Sequence, residues 1–468
     1  MAAALVSLGI FVFCTMVGLA LVFILSSGEK PYLPLLAPIL GAAAITIPSL
    51  WLTNLDVPVQ RFGPPLILIF LIASSLVLAF KWRRLASLKP YWPFALILLG
   101  GFLLFARPMF EFGFDWLSYS NDDMTNYVLT AERLLSYGYN TPPDPTRYAF
   151  NEDPTIVYWL WAVVNERYGA ELFASLFLSA TGLNGFQMFM PVMAALGLTQ
   201  IAAAAALVYR TERYRMVAIV TACLMAASAL ATFGIEYQLI AQVAGLPLMV
   251  AALILTCDLP RKLDARSLLL CTTAVAGLTI IYPEISLFFI LSVALHFGLQ
   301  FYRRSLRWRV AALWLPLIAF LTMLFLNVYV RNYLAVVEGR TAQSAAKENP
   351  RFFIELFPFY LIPSGLSNLF GFYSSVQTIH EPWLSLGIFG GLVLLAALCA
   401  AAVVTAWRGD FVGAPLAVML AVGFALFVKH EGFGLFKLAM YIQPFAIPCL
   451  VLCWFRFNKE CPTEVAAS

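Results

Sequence analysis

The chain is predicted to be an all-α polytopic membrane protein of about thirteen transmembrane helices, with interfacial helices in two long outer loops. Three observations predict this class. Of its 468 residues 62% are hydrophobic and only 12% are charged, a balance that a soluble domain has no way to divide between core and surface. Apolar runs of about 17 to 25 residues, long enough to cross roughly 30 Å of hydrocarbon as helices, recur along nearly the whole length. Basic residues concentrate in alternate interruptions between those runs.

In chain order, an N-terminal group (1–107) holds spans near 3–26, 34–53, 65–81 and 92–107. A first large outer loop covers 108–185, and a central group (186–329) holds spans near 186–208, 216–233, 239–256, 267–281, 284–301 and 310–329. A second outer loop covers 330–383. The C-terminal part (384–468) then holds spans near 384–406, 414–428 and 435–455 and a cytoplasmic tail. The first run has no preceding charge and no small-residue cleavage site, so it is expected to be a retained anchor rather than a removed signal peptide.

Most of the 29 Lys and Arg residues fall in one set of short loops. These hold Lys30; Lys81, Arg83, Arg84 and Lys89; Arg210, Arg213 and Arg215; Arg261, Lys262 and Arg266; Arg303, Arg304, Arg307 and Arg309; Arg408; Arg456 and Lys459. Short basic loops stay cytoplasmic, so the C-terminus is expected inside and, with an odd number of spans, the N-terminus outside. The net charge of +4 is then a topological signature, with no nucleic acid as partner. No Gly-rich phosphate loop follows a strand pattern, which disfavours a nucleotide-driven reaction. All eight cysteines (Cys14, Cys223, Cys257, Cys271, Cys399, Cys449, Cys453, Cys461) fall in spans or on the inner side, so no disulfide framework is implied.

The outer loops are too long and polar to be turns, and long loops of this kind carry function or structure of their own. The first contains a helix from about Asp122 to Tyr137, stopped by Gly138 and a Pro142-Pro143-Asp144-Pro145 turn. A second amphipathic run, Thr155 to Tyr168, is anchored at the interface by Trp159 and Trp161. The second loop alternates Arg331, Arg340, Lys347 and Arg351 with Glu338, Glu348 and Glu355, and reads as a short surface helix plus a re-entrant lid.

The chemistry concentrates at Asn121-Asp122-Asp123. Asn and Asp are ordinary helix caps, but one cap does not require two adjacent acids with Asn126, Tyr127 and Glu132 around the same helix. A pair of acids at a membrane boundary costs desolvation unless it is used.

Asp123, Tyr127 and Ala131 resemble the GT-C superfamily of integral-membrane glycosyltransferases, which includes the lipid A aminoarabinose transferases and the protein O-mannosyltransferases. Those enzymes place an acid in the first large outer loop, an aromatic four positions on and a small residue eight on. The likeness continues through Gly138, the Pro-rich turn and the run Asn151 to Trp161, and covers roughly residues 108–210. It departs where the family commonly has a second acid directly after the first, for Met124 stands there and Asp122 precedes instead.

The resemblance implies transfer of a sugar from a polyprenyl-phosphate donor to a glycan, lipid or protein acceptor, on the outer face of a bacterial inner membrane, in building a cell-envelope glycan. A hydroxyl acceptor is a weak nucleophile until its proton is taken, which makes Asp123 the candidate general base and Asp122 the tuning neighbour or the base itself. Lys437, Lys429 and Arg331, near the outer ends of spans, are candidates for the donor phosphate. Glu284, in Tyr282-Pro283-Glu284, and Glu236, with Tyr127 and Asn126, are candidates for sugar or acceptor contact. His380-Glu381 and His430-Glu431 are the two pairs suited to a divalent cation, but without a dense ligand motif no metal centre is assigned. His296 reads as a packed or capped histidine. Two rival readings remain: a lipid-linked glycan transporter or flippase, and an O-antigen polymerase or ligase relying on Arg331, Arg340 and Arg351.

Overall fold

The computed structural model describes residues 1–26, 30–118, 122–142, 157, 167–211, 215–259, 264–304, 308–345 and 380–457. Every regular element among them is helical. The chain opens with α1 (Ala2–Leu25) and α2 (Leu33–Asn54), which pack through small residues. A Cβ on Gly18 would sit 1.7 Å from the Ala37 carbonyl oxygen, and one on Gly41 would sit 1.9 Å from that of Cys14. Lipid tails give apolar side chains no reason to pair, so close backbone approach supplies the van der Waals contact that holds such a crossing.

Next come α3 (Val59–Phe80), α4 (Trp82–Leu85), a 3₁₀ turn (Ala86–Tyr91) and α5 (Trp92–Phe105). Then follow α6 (Arg107–Phe112), α7 (Asp122–Ser136), α8 (Gly169–Thr181), α9 (Gly185–Thr211), α10 (Arg215–Ala226), α11 (Ala229–Glu236) and α12 (Ile240–Asp258). The remainder is α13 (Ala265–Ile281), a 3₁₀ turn (Pro283–Ile285), α14 (Ser286–Tyr302), α15 (Trp308–Leu326), α16 (Tyr329–Ala345), α17 (Trp383–Trp407), α18 (Gly413–Val428), α19 (Gly432–Tyr441) and α20 (Gln443–Phe457). The core is built on α9 and α12, whose apolar windows are 94% and 100% buried; α3, at 17%, presents most of its surface outward.

Each of the thirteen predicted runs falls on helix, but they are not thirteen equivalent spans. Among the described residues eight helices are long and apolar enough to cross a membrane alone, and up to eleven spans result if each bent pair counts as one. The bent pairs are α10–α11 (49°), α15–α16 (109°) and α19–α20 (53°), while α13 and α18 are shorter apolar helices. The predicted span near 310–329 ends at Leu326, and Asn327 at φ 51° turns the chain into α16.

One helix was not expected. Gly169 to Thr181 is only 13 residues, about 20 Å of helix, too short to read as a span. The structure nonetheless buries most of α8 against α2, α3 and α7, with Phe177 edge-on to Phe13 of α1 at 6.1 Å.

The loops sort to two ends. At one, Lys30 Nζ and Arg210 Nε reach the Asp258 carboxylate at 3.1 and 2.6 Å, Arg84 donates to the Phe23 carbonyl at 3.0 Å, Arg456 pairs with Asp410, and the Arg210 guanidinium lies 5.1 Å from the Phe411 ring. At the other, Tyr168 donates to Asn54 Oδ1 at 2.9 Å, the Asn140 N–H donates to Asp56 Oδ1 at 2.7 Å, and Ser118 bonds Glu236. The alternate basic loops thus gather at a single end of the bundle.

Candidate functional site

The sequence of α7 alternates at helical period, which leaves Met124, Val128, Ala131 and Leu134 buried and Asp123, Thr125 and Asn126 exposed. Asp122 is its first residue. Tyr127 lies between the two faces, its ring parallel to Phe189 of α9 at 6.3 Å. Glu132, read from sequence as part of the acidic constellation, accepts the Gly185 N–H at 2.7 Å and so satisfies an orphan donor at the start of α9. Arg133 is fully buried, donates to the Thr141 carbonyl and lies 4.9 Å over the Tyr137 ring.

Gly138 was expected as a helix stop. Its stronger reason is space, since a Cβ there would lie 2.2 Å from Asp56 Cα. This contact, with the Tyr139 N–H donating to the Thr53 carbonyl at 3.0 Å, seats the end of α7 on the turn between α2 and α3.

The centre of the site is a residue the sequence reading passed over. Arg167, just before α8, pairs with Glu284 in the 3₁₀ turn between α13 and α14; their side chains are 11% and 17% exposed. Its guanidinium lies 5.1 Å from the Tyr282 ring, and the Tyr282 hydroxyl bonds that of Tyr441 on α19. Glu171, in the first turn of α8, is buried. Burial alone would lower the Arg167 pKa, but Glu284, then Tyr127 and Glu171, hold it well above its ordinary value, so the cation persists. Burial also raises the Tyr127 phenol; Arg167 opposes that, and Asp123, Glu171 and Glu284 add to it. Asp123 and Glu284, two of the predicted residues, thus both act electrostatically on a third, Tyr127, alongside Arg167 and Glu171.

α16 lies across this end. Tyr139 stacks on Tyr168 at 4.2 Å, and Tyr329 meets the Tyr168 ring edge-on at 5.4 Å. Asn332 donates to the Tyr139 hydroxyl at 3.0 Å, and Tyr333 shares a hydrogen bond with Ser286 at 2.9 Å. Residues 329, 332, 333 and 336 form one helical face, so Arg331 is left exposed on the other.

Glu236 closes α11 and is tied to the first outer segment, with Ser118 donating to both its carbonyl oxygen and its carboxylate. Lys437 of α19 is half-buried, its ammonium 4.5 Å from the Phe433 ring. Phe433, Lys437 and Tyr441 recur every four residues and share a face. Phe436, beside them, packs on Phe233 and Tyr237 at 5.8 and 5.7 Å. Helix α19 therefore joins the helix that ends in Glu236 to the Tyr282–Arg167 group.

Lys429 and His430 are exposed at the end of α18, with Glu431 beside them. Glu381 accepts the Ser385 N–H at 3.3 Å and caps α17, next to exposed His380. No group of three or more His, Cys, Asp or Glu forms among the described residues. His296 is buried and hydrogen-bonds Gln300 at 2.7 Å. Arg340 lies on α16. Asn121, the Pro-rich turn beyond Pro142, the run through Trp159 and Trp161, and Lys347, Glu348, Arg351 and Glu355 lie outside the described residues.

Arg167 and Glu171 left one trace in the sequence. They are opposite charges four residues apart at the head of an apolar run, where intramembrane charge is costly. Comparison of the chain with protein-family models, curated proteins and solved structures finds no match.

Proposed function

We propose that this chain is an integral-membrane glycosyltransferase of GT-C type, moving a sugar from a polyprenyl-phosphate donor to a glycan, lipid or protein acceptor at the outer face of a bacterial inner membrane. The observation that carries the reading is the packing of α7, which holds Asp123 and Tyr127, against α8, at whose head the mostly buried Arg167 pairs with Glu284 within electrostatic reach of Tyr127, at the end of the bundle away from the basic loops. By the positive-inside rule that end faces outward, with the N-terminus outside and the C-terminus in the cytoplasm.

The exposed Asp123 carboxylate takes the acceptor hydroxyl proton as its oxygen bonds to the anomeric carbon. The bond from that carbon to the phosphate oxygen breaks, and its electron pair leaves with the polyprenyl phosphate. Arg167, held cationic by Glu284, and the Lys437 ammonium offset the charge that develops there. Tyr127 remains a neutral phenol able to donate to a sugar hydroxyl; Asn126, Glu236 and Glu284 supply further polar contact. Lys429 and Arg331, exposed at the rim, attract the donor headgroup. The aromatic wall of Phe233, Tyr237, Phe433 and Phe436 suits the lipid-linked end of the donor.

The test is sugar transfer by the purified full chain in proteoliposomes carrying a polyprenyl-phosphate sugar and an envelope acceptor. Asp123→Asn loses glycosidic bond formation and Asp122→Asn retains it; full transfer in both variants sinks the base assignment.

A second reading, a lipid-linked glycan flippase, draws on one observation. The bent pairs α10–α11 and α19–α20 meet at their breaks, where Ser228 donates to Gln443 Oε1. Broken helices that meet in this way line substrate paths in transporters. Passage of the lipid-linked glycan across the vesicle wall, with no glycosidic bond formed, would select it.

A further inference from the structure

The end of the bundle opposite Asp123 holds a cavity of about 260 Å³ between the α1–α2 hairpin and the 3₁₀ turn after α4. Ser26, Lys30, Arg84, Ser87, Tyr91 and Tyr209 supply its polar lining, and Phe23 and Leu33 part of its apolar lining. At roughly 30 Å³ per water, the volume exceeds that of a few trapped solvent molecules and suits a headgroup.

The described residues that line this cavity include two cations, Lys30 and Arg84, and no acid. Among the described residues Lys30 and Arg210 both pair with the single carboxylate of Asp258. Arg84 donates one N–H to the Phe23 carbonyl at 3.0 Å and has no carboxylate partner among those residues. A guanidinium carries five donors, so most of its hydrogen-bonding capacity remains for an anion. Depth is marked as well. Trp82 and Trp92, at the two ends of the α4–α5 entry, are 64% and 63% exposed, as expected of indoles at the headgroup level. Arg83 lies over the Trp82 ring at 5.9 Å.

We propose that this cavity binds a phosphate-bearing anion, its oxygens on Arg84 and Lys30 and its apolar portion against Phe23 and Leu33. The site is separate from the transferase site, since the 22 residues of α2 between the two ends span about 33 Å. Two sources carry this chemistry, an anionic phospholipid and free phosphate.

The experiment measures the thermal unfolding midpoint of the full chain in neutral detergent with added phosphatidylglycerol, phosphatidylcholine or inorganic phosphate. A ligand that binds only the native state raises the midpoint, here by about 2 °C or more at saturation. A rise with phosphatidylglycerol alone assigns a lipid headgroup; an equal rise with inorganic phosphate assigns the free ion. Arg84→Gln removes the rise and Arg84→Lys restores part of it. Ser87→Phe, which fills the cavity from its exposed rim with both cations in place, removes it as well. No rise with either anion, a rise as large with phosphatidylcholine, or an undiminished rise in Arg84→Gln or Ser87→Phe overturns the proposal.

Discussion

Arg167 and Glu284 come from segments 117 residues apart and meet where neither charge is well hydrated. Removing one partner strands the other, so Glu284→Gln is expected to cost about 3 kcal/mol, read as a lowered unfolding midpoint in detergent. Replacing both by apolar side chains, Arg167→Met with Glu284→Leu, is expected to restore stability to within about 1 kcal/mol, because the desolvation cost goes with the charges. Under the transferase reading the double variant stays inactive, which separates holding the fold from serving the donor phosphate. Asp123 predicts the reverse pattern. It is exposed, so Asp123→Asn is expected to leave stability within about 0.5 kcal/mol of the parent while lowering transfer by about 100-fold or more. That Asp123 and Tyr127 share one helix was legible, because an i, i+4 spacing is local to the chain. Arg167 was not, because an ion pair between distant segments leaves no periodicity to read.

At the level of elements, long apolar runs were legible since nothing else covers roughly 30 Å of hydrocarbon, and each of the thirteen lies on helix. What the runs do not carry is direction. The bends after Ala226 and Leu326, and the burial of the short α8, depend on neighbours that only the folded bundle supplies. The seat of α7 is the clearest such case, because the helix that carries Asp123 is located by the contact of Gly138 with Asp56. A methyl group there would overlap the Asp56 backbone at 2.2 Å, with no flexible side chain to give way. Gly138→Ala is expected to destabilise by about 1–3 kcal/mol and to expose the α7 segment to protease. Gly100→Ala in α5, where an added Cβ meets nothing within 4 Å, is expected to be neutral or stabilising by up to about 1 kcal/mol, provided helix propensity governs. Equal effects from the two substitutions would show that Gly138 does not seat the helix.

For the whole molecule, the alternation of basic loops along the sequence becomes a separation in space: Lys30, Arg84, Arg210 and Arg456 at one end, Asp56, Asn140 and the Arg167–Glu284 pair at the other. Two ends joined by helices of 22 residues or more cannot share one aqueous compartment if the helices cross the bilayer. Ser87 and Asn140, both exposed, mark those ends. In a chain whose exposed Cys223 and Cys399, and Cys461 of the C-terminal tail, are changed to Ala, an Asn140→Cys variant is expected to react with a membrane-impermeant maleimide in intact cells. A Ser87→Cys variant is expected to react only after the membrane is permeabilised. Reaction of both in intact cells would break the assignment of the two ends to opposite faces, and the inverse pattern would turn the Asp123 site to the cytoplasm. That second outcome would also remove the reason to expect a polyprenyl-linked donor there, since positive-inside orientation is the argument that places this chemistry outside. Orientation is thus the hinge of the functional reading, and it is decided by labelling alone, without knowledge of the sugar or the acceptor.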